Sequence, residues 1–250
     1  MSSTRFHCPK APATEPAVLL VGHGSRCTAA DAVATHAARL VQSGRYRRAD
    51  VAYLRGDPSP TDVLAKMPAG DIVVVPMLMS NGSLARRLAT DLRAAPHPGQ
   101  RLHLCPPIGA SPGMAGLVSR MAERASAAAG WAPAASRLLL IGHGNSRDPD
   151  SRRSMDSLVR SLHACGRFGR VDGAYLEAEP RAADALWLAS PPTIVVGFLA
   201  DRGVHAELDL RGAISAADRV DLIYAGPVGA EPHLADLLMR EIDAAPRLAA

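Results

Sequence analysis

Val18-Leu-Leu-Val-Gly-His-Gly-Ser25 reads as a buried apolar strand ending in a glycine-flanked histidine, and it recurs as Leu138-Leu-Leu-Ile-Gly-His-Gly-Asn145. The two histidines, His23 and His143, stand 120 residues apart. Ala52-Tyr-Leu54 recurs as Ala174-Tyr-Leu176 at an offset of 122, and Val73–Val75 as Ile194–Val196 at 121. Pro107-Ile-Gly-Ala110 recurs as Pro227-Val-Gly-Ala230 at 120, with Pro112 matching Pro232. Four matches in one order at a nearly constant offset identify an internal duplication. The expected units are residues 1–128 and 129–250, with a linker around Ser126–Ser136 that holds Gly130 and Pro133.

Each copy alternates two kinds of segment. Short apolar runs read as buried strands: Val18–Val21, Val51–Leu54, Ile72–Met77 and Leu102–Leu104, then Leu138–Ile141, Ala174–Leu176, Thr193–Leu199 and Leu222–Tyr224. Between them lie stretches with helical spacing, such as Ala29–Gln42 and Ser151–Cys165. Continuous apolar strands separated by helices predict an α/β fold, with parallel sheets covered on both faces. The expectation is two tandem doubly wound domains. Such sheets bind ligands at the carboxyl ends of their strands.

Composition narrows the partners. Apolar residues make up 48% of the 250 and charged residues 21%, an ordinary globular balance. The net charge of +4, with arginines dispersed, suits a ligand with several carboxylates better than nucleic acid, for which no motif is present. The four cysteines form no CxxC pair, which argues against a zinc ribbon or an iron–sulfur site. No apolar run approaches the roughly 20 residues of a membrane span. Arg5, His7, Lys10 and Glu15 leave no signal-peptide core, so a cytoplasmic protein without membrane or nucleic-acid partners is expected.

The strand ends of the second copy carry pointed chemistry. His143 follows the first strand, Glu177 the second, and His205 the third, in Gly203-Val-His205. Two imidazoles and a carboxylate suit a borderline divalent transition metal. The first copy keeps His23 but places Arg55 opposite Glu177 and Leu84 opposite His205. A repeat used only for packing has little reason to gather all three groups on one copy. His7, His36, His97, His103, His163 and His233 read as surface or structural, and Met77 and Met79 as apolar core or cleft wall. A phosphohistidine phosphatase needs Arg directly before its histidine, where Gly22 and Gly142 stand, and no Gly-x-Ser-x-Gly hydrolase turn is present.

At these residues the chain resembles the CbiX/SirB family of class II chelatases, which act on sirohydrochlorin. The marks are Val21-Gly-His-Gly-Ser-Arg26, Ala174-Tyr-Leu-Glu177 with Glu179-Pro180, and Val195-Val-Gly-Phe-Leu199 leading to Gly203-Val-His205 and Asp209. The resemblance implies two chelatase-like domains facing across a cleft, with His143 and His205 binding the metal and Glu177 as acidic partner, either a third weak ligand or the acceptor of a pyrrole proton. Here the full set stands in the C-terminal copy, whereas long members of the family usually carry it in the N-terminal one. The implied activity is insertion of Co²⁺ or Fe²⁺, with Ni²⁺ also compatible, into sirohydrochlorin or a related tetrapyrrole, in cobalamin- or siroheme-type biosynthesis. The metal is then a substrate, and the absence of a Walker motif predicts no nucleotide. Carboxylates of the ring are expected at Arg147 and Arg202, then Arg26 and Arg86, with His23 as a further contact. The alternative is a non-catalytic metal or tetrapyrrole carrier of the same fold. A tandem repeat needs no partner chain to complete a site, so a monomer or weak homo-oligomer is expected.

Overall fold

A computed structural model of the chain describes residues 5–7, 16–24, 31–94, 98–145, 149–188, 191–200 and 204–245, with the backbone alone at 5–7 and 204–207. The first half runs β1 (Arg5–His7), β2 (Ala17–Gly22), α1 (Ala32–Gln42), β3 (Arg48–Tyr53), α2 (Pro60–Leu64), β4 (Gly70–Pro76), α3 (Ser83–Ala94), β5 (Gln100–Leu104) and α4 (Met114–Ala128). The second runs β6 (Arg137–Gly142), α5 (Pro149–Ala164), β7 (Arg170–Tyr175), α6 (Ala182–Trp187), β8 (Thr193–Phe198), α7 (Val204–Ala216), β9 (Leu222–Pro227) and α8 (Leu234–Asp243). The eight strands expected from the apolar runs are all present. β1, too short and polar to be read from the sequence, joins antiparallel to β3.

The sheet orders are β1-β3-β2-β4-β5 and β7-β6-β8-β9, and every pairing except β1–β3 is parallel. In both, the chain leaves the central strand toward one neighbour and then crosses to the other side. The carboxyl ends of β2 and β6 therefore sit at topological switch points, where such sheets open a crevice. β2 and β6 are buried along their whole length, because helices cover both faces. In the first sheet Leu19, Val21, Ile72 and Val74 face Val63 and Leu64 of α2 and Leu88 and Leu92 of α3. In the second, Leu139, Ile141 and Val195 cluster with Ala182 and Leu186 of α6 and Leu210 of α7. Asp31 starts α1 by accepting from the Val33 and Ala34 amides at 2.9 and 3.3 Å. Among the described residues no helix is long and apolar enough to cross a membrane.

Packing divides the chain differently from the repeat. One compact unit is Met1–Ser111 with Pro232–Ala250, and the other is Pro112–Glu231. The packing boundaries thus differ from the repeat boundary expected at 128/129, because α4 packs in the second unit and α8 in the first. α4 covers β8 and β9 and lies beside α5, while α8 lies against α1 and β4. Polar contacts fix α8 in the first unit. Arg45 pairs with Asp243 at 2.6 Å, the Ser111 hydroxyl donates to Glu241 Oε1 at 2.5 Å, and the Cys105 thiol donates to the Glu241 carbonyl at 3.4 Å. Burial, and then the Glu241 charge, push that thiol up to about 12, so it stays protonated and inert. In the second unit Arg124 pairs with Glu231 at 2.6 Å.

Two predictions follow the packing. A fragment ending at residue 128 lacks α8 and carries α4 without its sheet, exposing Met114, Leu117, Val118 and Met121. It should unfold without a cooperative urea transition, whereas residues 112–231 alone should show one by circular dichroism. A cooperative 1–128 fragment would contradict the assignment of α8 to the first unit. The second concerns Asp71, which receives Arg101 through two bonds of 2.8 and 2.5 Å and contacts His103 Nε2 at 2.9 Å. Those partners, the Arg101 hydrogen bonds first, hold its carboxyl well below the usual 3.8. A depressed folded value contributes its full stability above the usual value and loses it as pH falls from there through the depressed one. Asp71→Asn should therefore cost about 1 kcal/mol at neutral pH in this half-exposed setting, with wild type and variant converging in acid. Equal urea midpoints at neutral pH would show the cluster contributes nothing.

Candidate active site

The central strand of the second sheet ends at Gly142, and the next residue, His143, stands at the switch point. The Leu176 amide donates to the Gly142 carbonyl at 3.0 Å, and the Glu177 amide to the His143 carbonyl at 2.9 Å. These bonds carry the β6–β7 ladder past the strand ends and set His143 and Glu177 side by side. His143 Nδ1 lies 3.2 Å from the Gly144 carbonyl and 3.5 Å from Glu177 Oε2. A ring protonated at Nδ1 donates toward these oxygens and leaves the Nε2 lone pair for a metal, the usual division of labour of a ligating histidine beside a carboxylate. Both side chains are open to solvent, 53% for His143 and 66% for Glu177.

The turn depends on Gly144, whose φ is +85°. A Cβ there would meet the Tyr175 Cβ at 2.8 Å and the Ala178 Cβ at 2.9 Å. Tyr175 is buried beneath the turn, and burial raises its hydroxyl above the ordinary value. The neighbouring acid is held elsewhere. Glu179 accepts from Arg181 Nε at 3.3 Å and from the Arg181 amide at 3.1 Å, while its carbonyl accepts from Arg152 at 2.5 Å. Glu177 is thus the acid left to His143. The sequence set these two acids only two residues apart, and the arginines that separate their roles carried no signal in it.

His205 lies in the first turn of α7, the helix that follows β8, and its side chain is outside the described set. Arg26, Arg147 and Arg202 lie outside the described residues altogether. Among the described residues, no group of three or more His, Cys, Asp or Glu side chains gathers as a metal cage. The structure brings together the His143–Glu177 pair of the three expected groups. Arg86 is exposed in the first turn of α3, with one nitrogen donating to the Asn81 carbonyl at 3.1 Å. His23 occupies in the first unit the place His143 holds in the second, with Nδ1 3.1 Å from the Gly24 carbonyl. Of the remaining residues set aside as structural, His36 is buried in α1, His103 contacts Asp71, and Met77 is core.

Fold and strand-end pair together define a tandem α/β protein of the chelatase-like kind. The family model for CbiX matches the chain twice, over residues 17–125 and 137–245. The chain belongs to the CbiX family. A probable sirohydrochlorin cobaltochelatase of Halobacterium salinarum is 24% identical, with 89% of each chain covered. The structure of CbiX described as the terminal enzyme for siroheme biosynthesis in denitrifying bacteria matches with a TM-score of 0.72 and 25% identity, over 91% of this chain and 98% of that one. SirB from Bacillus subtilis with Fe³⁺ matches with a TM-score of 0.75 and 20% identity, over 92% and 94%.

Gly144→Ala tests the turn. It should lower stability by about 1–3 kcal/mol, through a left-handed backbone and a blocked Cβ, and weaken Co²⁺ binding. Gly166→Ala, at a φ of +63° with open space around it, carries the backbone cost alone. Equal urea midpoints and equal Co²⁺ affinities in the two variants would show that the turn does not hold His143 in place.

Proposed function

We propose that the protein is a chelatase that inserts Co²⁺ or Fe²⁺ into sirohydrochlorin or a closely related tetrapyrrole, using the strand ends of its C-terminal unit. The observation that carries this reading is the His143–Glu177 pair at a switch point, present in one copy of the repeat and replaced in the other. The relatives described as a cobaltochelatase and as a siroheme enzyme support both the ring and the choice of metals.

Insertion requires a site that holds the ion loosely, holds the ring and accepts the two protons displaced from the pyrrole nitrogens. His143 and His205 bind the ion through neutral imidazole nitrogens. Such a sparse set, with His143 and Glu177 open to solvent, lets the ion leave, which a closed thiolate cage would resist. Glu177 has two roles: it favours the Nδ1 proton of His143, and its exposed carboxylate accepts one pyrrole proton as the metal enters, the second passing to solvent at this open edge. Binding needs unprotonated imidazole, so affinity falls as the solution is acidified. No step calls for nucleotide, and the reaction is ATP-independent. Ni²⁺ fits the same ligands by chemistry and is a further candidate ion. Arg147, Arg202, Arg26, Arg86 and His23 are the groups we assign to the ring's carboxylates.

The test is insertion followed by absorbance, under anaerobic conditions, with sirohydrochlorin and Co²⁺ or Fe²⁺. Native protein should exceed the no-enzyme rate, and the His143→Ala/His205→Ala double variant should return to it. Glu177→Gln should retain Co²⁺ binding and lose roughly 10²–10⁴-fold in turnover, the scale of one general base. Ring and metal binding without acceleration would mark a carrier. Background rates with both ions and no ring binding would end the sirohydrochlorin reading.

A further inference from the structure

The first unit repeats the backbone of the active site and reverses its charge. The Leu54 amide donates to the Gly22 carbonyl at 3.0 Å and the Arg55 amide to the His23 carbonyl at 2.9 Å, the same two bonds that seat Glu177 beside His143. Gly24 has a φ of +93°, and a Cβ there would fall 2.3 Å from the Arg55 carbonyl. His23 turns its Nδ1 toward the Gly24 carbonyl, as His143 does toward that of Gly144. One cradle is thus kept at both switch points, with a guanidinium in the first unit where the second has a carboxylate. Leu84, half-buried in the first turn of α3, replaces the histidine of α7. A cation beside an imidazole, with an apolar group as third member, repels a metal ion and attracts an anion.

Arg55 is exposed and forms no ion pair among the described residues. Asp57, in the place of Glu179, is also exposed and makes no ion pair with it. In the second unit the corresponding acid is engaged by Arg181. The Arg55 fork therefore stays open, and its planar donors match a carboxylate.

We propose that the strand ends of the N-terminal unit form an anion site, built on His23 and Arg55, that binds a carboxylate of the tetrapyrrole. The proposal rests on the chelatase reading and adds Arg55 as a substrate-binding residue. Duplication supplied two copies of one cradle, and a Glu-to-Arg difference turns the N-terminal copy from the ion to a ring carboxylate.

The test uses the full chain and metal-free sirohydrochlorin, with binding followed by absorbance. Arg55→Ala should weaken ring binding roughly tenfold, as for loss of one charge-assisted contact, and Arg55→Glu should weaken it further. Co²⁺ affinity, measured separately by calorimetry, should match wild type in Arg55→Ala, and the thermal midpoint should match it in both variants. Wild-type ring affinity should also fall more steeply with salt than that of Arg55→Ala. Unchanged ring affinity in both variants, with native protein still catalysing insertion, overturns this site and leaves the chelatase reading standing. Native protein that neither binds nor metallates the ring overturns both.

Discussion

The active region depends on a pair of main-chain hydrogen bonds that continue a parallel ladder one residue beyond the strand ends. In each unit the residue after the central strand offers its carbonyl to the amide two places past the neighbouring strand, at 2.9 Å. That bond fixes which side chain stands beside the histidine. It survives only because the following residue is a glycine with positive φ, 93° in one unit and 85° in the other, pressed against backbone or Cβ atoms that leave no room for a side chain. The geometry is a property of the backbone. The chemistry is left to whatever side chain occupies residue 55 or 177.

This separation explains how one fold carries opposite charges at equivalent places. Exposed side chains at strand ends contribute little to stability, so their substitution leaves the ladder intact. The buried residues beneath are under tighter control. Gly22 has the Tyr53 ring 3.1 Å from where its Cβ would stand, and Gly142 has the Met155 methyl at the same distance. The repeats agree where atoms are packed and diverge where they meet solvent.

Much of this was legible in the sequence, for particular reasons. The strand runs were readable because burial on both faces removes polar alternation, and the His143–Glu177 pair because the repeat supplied an internal comparison at Arg55. β1 was not, since a three-residue polar edge strand has no periodic signal. The exchange of α4 and α8 between units was hidden for a different reason. Both helices are amphipathic, and both follow the matched Pro-x-Gly-Ala turn, so either suits either sheet by pattern. Periodicity reports that a helix has an apolar face, not which sheet it covers. Glu241 meeting Ser111 and Asp243 meeting Arg45 decide it, and those pairs span more than a hundred residues of chain.

The ion pairs complete the division between stability and chemistry. Arg48 pairs with Asp50 near the start of β3, and Arg137, only 2% exposed, meets Asp172 at 2.5 Å near the start of β6 and β7. Arg170 also reaches Asp172 at 2.7 Å, Asp71 meets Arg101 where β4 and β5 begin, and Arg219 holds Asp221 just before β9. Arg48-x-Asp50 and Arg170-x-Asp172 are themselves a repeat, at an offset of 122. All of these lie at the amino ends of parallel strands. Removing one partner of a buried pair strands the other, so the amino edge resists substitution. The carboxyl edge presents His23, Arg55, His143 and Glu177 exposed. Each sheet is therefore polarised along its strands: these charges at the amino ends satisfy one another, while Arg55 and Glu177 at the carboxyl ends stay open to ligands. A Glu-to-Arg difference is tolerated at residues 55 and 177 because both side chains are exposed and neither belongs to the ion pairs at the amino edge.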